Sequence, residues 1–181
     1  MRKVVLKVRL KNRDKFEERL DRMDIELGSM YWEHDRIYLP RGYKRGENFP
    51  RFILKTEMKA VDRPAKYFLV QKRHIENLNI EVIHRTEIKD YFEAVGMMSE
   101  MGFTLAGEVS RKRQSAKLSG GELLYVDNLD NNTGNYAKIE AKITDIGQSE
   151  DIRRKILDIY YRLREDRFLN QTYLEIAKKT A

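Results

Sequence analysis

Charged and apolar residues alternate strictly in several stretches of this chain, and a period of two marks a strand with one face in an apolar core. Lys3, Val5, Lys7, Arg9 and Lys11 alternate with Val4, Leu6, Val8 and Leu10. Arg51, Ile53, Lys55, Glu57 and Lys59 alternate with Phe52, Leu54, Thr56 and Met58. The pattern is densest from Val109 to Lys142. There Val109, Arg111, Arg113, Ser115 and Lys117 share one face, and Leu123 to Asp127 puts Asp127 on the face of Tyr125. Tyr136, Lys138, Glu140 and Lys142 then lie opposite Ala137, Ile139, Ala141 and Ile143. Further strands are predicted over Met30–Leu39, with Tyr31, Trp32, Ile37 and Tyr38, over Tyr67–Arg73, which pairs as a hairpin with Arg51–Lys59, and over Ile80–Lys89.

Four other segments have helical spacing. Asn12–Leu27 carries Phe16, Leu20 and Met23, with Asn12 as cap and Gly28 as stop. Asp90 caps a helix bearing Phe92, Val95, Met98 and Met101. Asp151–Arg164 carries Ile152, Ile156, Ile159, Tyr160 and Leu163, and a last helix covers about Arg167–Lys179. The segment between Asp127 and Tyr136 is rich in Asn, Asp and Gly and reads as a turn, and Pro40–Pro50, with Arg41, Lys44 and Arg45, reads as a basic, flexible loop. Helices covering the apolar strand faces, with the charged faces turned inward, predict an α+β fold. Its centre is an eight-stranded, mainly antiparallel β-barrel around a charged lumen. Residues 1–181 form one domain, closed by C-terminal helices at about 151–179.

Charge adds the next constraint. Lys plus Arg number 36 against 29 Asp plus Glu, a net +7, which favours an anionic partner: nucleotide, polyphosphate, nucleic acid or acidic membrane. Like charges facing each other across a ladder repel. A bound polyanion would relieve that repulsion, and on this reading removing Arg113 weakens binding at no cost in stability. The absence of cysteine excludes disulfides, thiol catalysis and thiolate metal sites. With no apolar leader and no run of membrane-spanning length, the expectation is a cytoplasmic protein with no membrane partner. His34, His74 and His84 have no metal-ligand spacing and read as surface or strand residues.

Taken in order, several short motifs resemble the CYTH or triphosphate tunnel family, which includes class IV adenylyl cyclases, thiamine triphosphatases and inorganic triphosphatases. Val4 to Leu10, with Lys7 and Arg9, is similar to the end of the family's opening Glu-x-Glu-x-Lys strand. Phe68-Leu69-Val70-Gln71-Lys72 resembles its aromatic-Leu-Thr-x-Lys strand, Arg85-Thr86-Glu87 its Arg-x-Glu pair, and Met101-Gly102-Phe103 its Leu-Gly-Phe. Val109 to Arg113 resembles Val-x-Lys-x-Arg. Asp127, Gly134, Tyr136 and Ile139-Glu140 resemble its Asp, Gly, Phe and Glu-x-Glu series, and Tyr173-Leu174-Glu175 its final Tyr-Leu-Glu helix.

The resemblance implies a tunnel in which Lys7, Arg9, Lys55, Lys72, Arg85, Arg111 and Arg113 grip phosphate oxygens. It also implies Mg²⁺ or Mn²⁺, at one site at most, on Asp127, Glu140 and Glu87, with Asp127 and Glu140 as the catalytic pair and Glu57 as a relocated ligand. The departures bear on that metal. The opening glutamates fall on Lys3 and Val5, the first of the closing pair is Lys138, and the Arg-x-Arg strand reads Lys55-Thr56-Glu57. Ammonium groups at two ligand positions repel a dication and can take over part of its charge. Three functions stay open: a triphosphatase or adenylyl cyclase acting on inorganic, thiamine or nucleoside triphosphate; a polyphosphate or nucleotide receptor without turnover; and a nucleic-acid binding module using the Arg41–Arg45 loop. A homodimer would be unsurprising for any of them.

Overall fold

The computed structural model describes residues 1–43, 50–60, 62–75, 79–130, 133–169 and 171–180. Its strands are β1 (Arg2–Arg9), β2 (Tyr31–Pro40), β3 (Arg51–Met58), β4 (Lys66–Ile75), β5 (Ile80–Ile88), β6 (Phe103–Lys117), β7 (Leu123–Leu129) and β8 (Gly134–Ile143). They pair in the order β1-β5-β4-β3-β2-β6-β7-β8, and β8 returns to β1, so the barrel is closed. Every adjacent pair is antiparallel, and the closing β1–β5 ladder is short, joining Arg2–Val4 to Ile80–Val82.

The apolar faces pack outward on one side of the barrel. Val4, Leu6 and Val8 of β1 join Leu124 and Val126 of β7 and Ala137, Ile139, Ala141 and Ile143 of β8. Phe16 and Leu20 of α1 (Arg13–Asp21) and Ile156 and Tyr160 of α3 (Ser149–Arg162) close over them. The buried Tyr160 hydroxyl donates to the carbonyl oxygens of Leu6 and Ala137, each at 3.1 Å, tying α3 to both strands. On the other wall, Met98 of α2 (Tyr91–Glu100) packs on Tyr38 and Leu54.

The fourth helix, α4 (Tyr173–Thr180), takes a different position. Leu174 and Ile176 pack with Ile37, Val109, Leu129 and Tyr136, and Ile37 and Val109 line the lumen, so α4 caps one mouth of the barrel. Gly107 makes room for it. Its φ is +153°, and a Cβ there would stand 2.6 Å from Leu174 Cδ1. The β2–β6 register also shifts here, Ile37 facing Gly107 and Tyr38 facing Leu105, which leaves Ala106 as a bulge that bends β6 toward α4.

Three boundaries differ from the sequence expectation. The first helix ends at Asp21 rather than Leu27, because the chain turns through Asp24 at φ 54°, although Met23, Ile25 and Leu27 still pack on the core. β6 begins six residues before Val109, at Phe103. The last helix starts at Tyr173 rather than Arg167. The preceding residues run along β1 instead, with Phe168 bridging Val8 and the Leu169 amide donating to the Lys7 carbonyl at 2.9 Å. Lys44 and Arg45 of the expected basic loop lie outside the described residues, as do Asn131 and Asn132 of the expected turn. Among the described residues no helix is long and apolar enough to cross a membrane.

Candidate functional site

Strand parity turns the charged faces into the lumen, and the register then decides which charges meet. Glu33 stands opposite Arg111 across β2 and β6, and Asp35 opposite Lys55 across β2 and β3. Arg113 stands opposite Asp127 across β6 and β7. Each opposition becomes a contact. Arg111 donates to Glu33 and, at 2.7 Å, to Asp35; Lys55 lies 2.7 Å from Glu33 and 3.0 Å from Asp35. Arg113 grips Asp127 with two parallel bonds, Nε to Oδ1 at 2.5 Å and Nη2 to Oδ2 at 2.7 Å, and its Nη1 lies 3.0 Å from Glu33. Such forked pairing is the strong form of a charged hydrogen bond. From α4 the Tyr173 hydroxyl donates to Asp127 Oδ2 at 2.6 Å.

These carboxylates are held ionised. Burial alone would raise them, but Arg113, Arg111 and Lys55 keep Glu33 well below the usual range, and Arg113 lowers Asp127. Glu140 is clamped in the same way. It accepts from Lys3, from Lys138 at 3.0 Å and from the Tyr125 hydroxyl at 3.2 Å, and the two ammonium groups outweigh its burial and lower its pKa.

The lumen divides into two chambers that meet around Asp35, Lys72, Glu81, Arg111, Arg113 and Lys138. The chamber away from α4, about 540 Å³, carries Lys3, Glu33, Lys55, Glu57, Arg85 and Glu140, and these six form ion pairs with lumen neighbours. The chamber under α4, about 600 Å³, carries Lys7, Arg51, Lys72 and Lys138 together with His74 and Glu175. Here the register opposes like charges: Lys7 faces Lys138 across β1 and β8, and Arg51 faces Lys72 across β3 and β4. Lys72 pairs with Glu81 at 2.6 Å. Lys7 and Arg51 have no carboxylate within ion-pair distance among the described residues. Lys7 instead donates to the Gln171 carbonyl oxygen at 2.8 Å and lies 4.1 Å from the centre of the Tyr173 ring. Burial, then repulsion by Lys72 and Lys138, lowers the Lys7 pKa from 10.5 to about 7. Arg111, which borders both chambers, keeps one buried donor, Nε, without a partner.

Of the residues named from sequence, Lys7, Lys55, Lys72, Arg85, Arg111 and Arg113 line the lumen. Arg9 does not; it is exposed at the end of β1, next to Gly134. Asp127 lies inside β7 and is fully buried, and Glu140 lies in mid β8. Glu87 is separate from both, its side chain 57% exposed and 3.6 Å from Lys66. The three expected metal ligands are thus not gathered, and among the described residues no three His, Asp or Glu side chains form a group that could hold a metal ion. The donor chemistry agrees, since Asp127 accepts three hydrogen bonds from a guanidinium and a phenol, and Glu140 three from two ammonium groups and a phenol. These residues do not fit a divalent cation.

Neither a family model nor a curated protein sequence matches the chain. Solved structures do. The PH1819 protein of Pyrococcus horikoshii superposes with a TM-score of 0.86 at 18% identity, covering 99% of both chains. A candidate adenylate cyclase from Vibrio parahaemolyticus gives 0.79 at 17% identity and 97% of both chains. The likeness is one of fold. A candidate adenylyl cyclase from Hippeastrum, HpAC1, described as having a dominant triphosphatase activity, shares that fold with a TM-score of 0.65 at 10% identity over 99% of this chain and 96% of its own.

The sequence reading missed Glu33, Asp35 and Glu81, and with them the neutralisation of the lumen bases. The signal was present. Glu33 and Asp35 alternate with Trp32 and His34 as regularly as Arg111 and Arg113 alternate with Lys112. Tyr173 gave no such signal, because its contact with Asp127 depends on how α4 docks.

Proposed function

We propose that this chain is a CYTH-like tunnel protein that binds a triphosphate or short polyphosphate in the chamber under α4 without a divalent metal. The observation that carries the reading is the opposition of Lys7 to Lys138 and of Arg51 to Lys72, with no carboxylate within ion-pair distance of Lys7 or Arg51 among the described residues. Repelling cations aimed into one cavity raise the energy of the empty state, and a polyanion placed between them removes that penalty while gaining charged hydrogen bonds. The fold shared with a candidate adenylate cyclase and with HpAC1 supports the same ligand class. Lys3 and Lys138, bound to Glu140, supply positive charge where the resemblance implies a metal.

The reading is tested by calorimetric titration of inorganic triphosphate and ATP in the presence of a chelator, followed by assays for phosphate, pyrophosphate and cyclic AMP after adding Mg²⁺ or Mn²⁺. Binding in chelator with no product is expected. Binding that requires the metal and leads to turnover would instead establish an enzyme of the triphosphatase or cyclase type and overturn the metal-free reading.

A further inference from the structure

Lys7 offers chemistry that phosphate binding alone does not use. Its amine lines the 600 Å³ chamber beneath the Tyr173 ring, and the groups around it are Lys72 and Glu81 of β4 and β5, Asp127 and Lys138 of β7 and β8, and Tyr173 of α4. With its pKa at about 7, roughly half of Lys7 is free amine at neutral pH, against about one in three thousand for an ordinary lysine. A neutral amine still donates one N–H to the Gln171 carbonyl oxygen and keeps a lone pair for the chamber. Desolvation beside a second ammonium group is a known way of turning lysine into a nucleophile. Arg51 and Lys72, directly opposed across β3 and β4, line the same chamber and can hold one phosphate group.

We propose that Lys7 is a carbonyl-capturing amine that forms an imine with phosphorylated aldehydes whose phosphate is held by Arg51 and Lys72. The Lys7 nitrogen adds to the aldehyde carbon, and a proton passes from nitrogen to the carbonyl oxygen, giving a carbinolamine. The Lys138 ammonium protonates the departing hydroxyl, water leaves, and the protonated imine returns its proton to Lys138. The sum is amine plus aldehyde giving imine plus water, with no oxidant or reductant. The chemistry uses the chamber of the polyanion reading but needs only one phosphate.

The test uses pyridoxal 5′-phosphate as the probe and pyridoxal as the unphosphorylated control, with borohydride trapping and peptide mass mapping. The expected result is a dominant adduct on Lys7, formed at least about tenfold faster with the phosphate present, and lost in Lys7→Arg. Lys138→Met should slow labelling near neutral pH, and alkali should restore only part of the rate, because Lys7 then loses both its opposed ammonium and the acid that protonates the departing hydroxyl. Adducts spread over exposed lysines with Lys7 unmodified, or equal labelling by pyridoxal, would overturn the proposal. Binding of inorganic triphosphate with Lys7 unmodified would likewise overturn it and leave the polyanion reading standing. Labelling of Lys7 against which triphosphate neither binds nor protects would support the imine and remove that reading.

Discussion

Arg113 and Lys7 point into the same lumen from strands of similar alternation, yet their surroundings are opposite. Arg113 meets Asp127 across the ladder, reaches Glu33 and lies 4.5 Å over the Tyr125 ring, so its charge is fully used inside the protein. Lys7 meets Lys138 across its ladder and has no carboxylate within ion-pair distance among the described residues. Residue type and parity are the same in kind; register makes the difference. Arg113 opposite an acid is part of the barrel's structure, whereas Lys7 opposite another base keeps a charge that its ladder neighbour does not neutralise.

The largest effect that sharpens this contrast is on stability. Arg113→Ala leaves Asp127 buried without the guanidinium that grips it, and should cost about 3–5 kcal/mol in urea unfolding. Lys7→Met should cost nothing below neutral pH, because it removes an ammonium repelled by Lys72 and Lys138. The expectation from alternation alone, that Arg113 could be removed without loss, changes with the structure. Equal unfolding midpoints for Arg113→Ala and Lys7→Met would break the comparison.

Gly107→Val comes next. A side chain there collides with Leu174, and displacement of α4 should cost about 1–3 kcal/mol, seen as lower thermal stability and faster hydrogen exchange in α4. On the binding side, Lys7→Met and Arg51→Met should each weaken inorganic triphosphate binding about tenfold, the loss of one charged contact.

Acid and alkaline limbs of the stability curve separate the two regions further. Asp127, Glu33 and Glu140 are held below ordinary carboxylates, so their contribution is complete above about pH 4 and is lost as pH falls through their lowered values. Lys7 acts with the same sign in a separate, alkaline window. Between about 7 and 10.5 the unfolded chain holds a proton there that the folded chain has released, so stability from this group rises with pH across that window. Lys7→Met should flatten the alkaline limb and leave the acid limb unchanged in a series of urea midpoints. The smallest expected effect is that of Glu87→Gln, within about 0.5 kcal/mol and without change in binding, since its pair with Lys66 is exposed.

The barrel was legible in the sequence because period-two alternation survives in each strand, and the inward set Lys7, Lys55, Lys72, Arg111 and Arg113 follows from parity alone. Arg9 shows the limit of parity, which assigns a face and not whether the strand has already left the barrel. Partner choice was not legible. That Arg111 meets Glu33 while Lys7 meets Lys138 depends on the stagger of strands far apart in sequence, and no single strand encodes it. The docking of α4 was equally hidden, because Gly107 and Leu174 are complementary only once the β2–β6 bulge has formed.

The central claim, that a polyanion binds at the opposed cations under α4 without metal, is tested most directly by calorimetry of inorganic triphosphate binding in chelator, slightly above neutral pH, in buffers of different ionisation enthalpy. A phosphate group beside Lys7 raises its pKa from about 7, so binding should take up close to one proton, and Lys7→Met should abolish the uptake. Binding with no proton uptake, or binding that appears only when Mg²⁺ is added, would contradict the account.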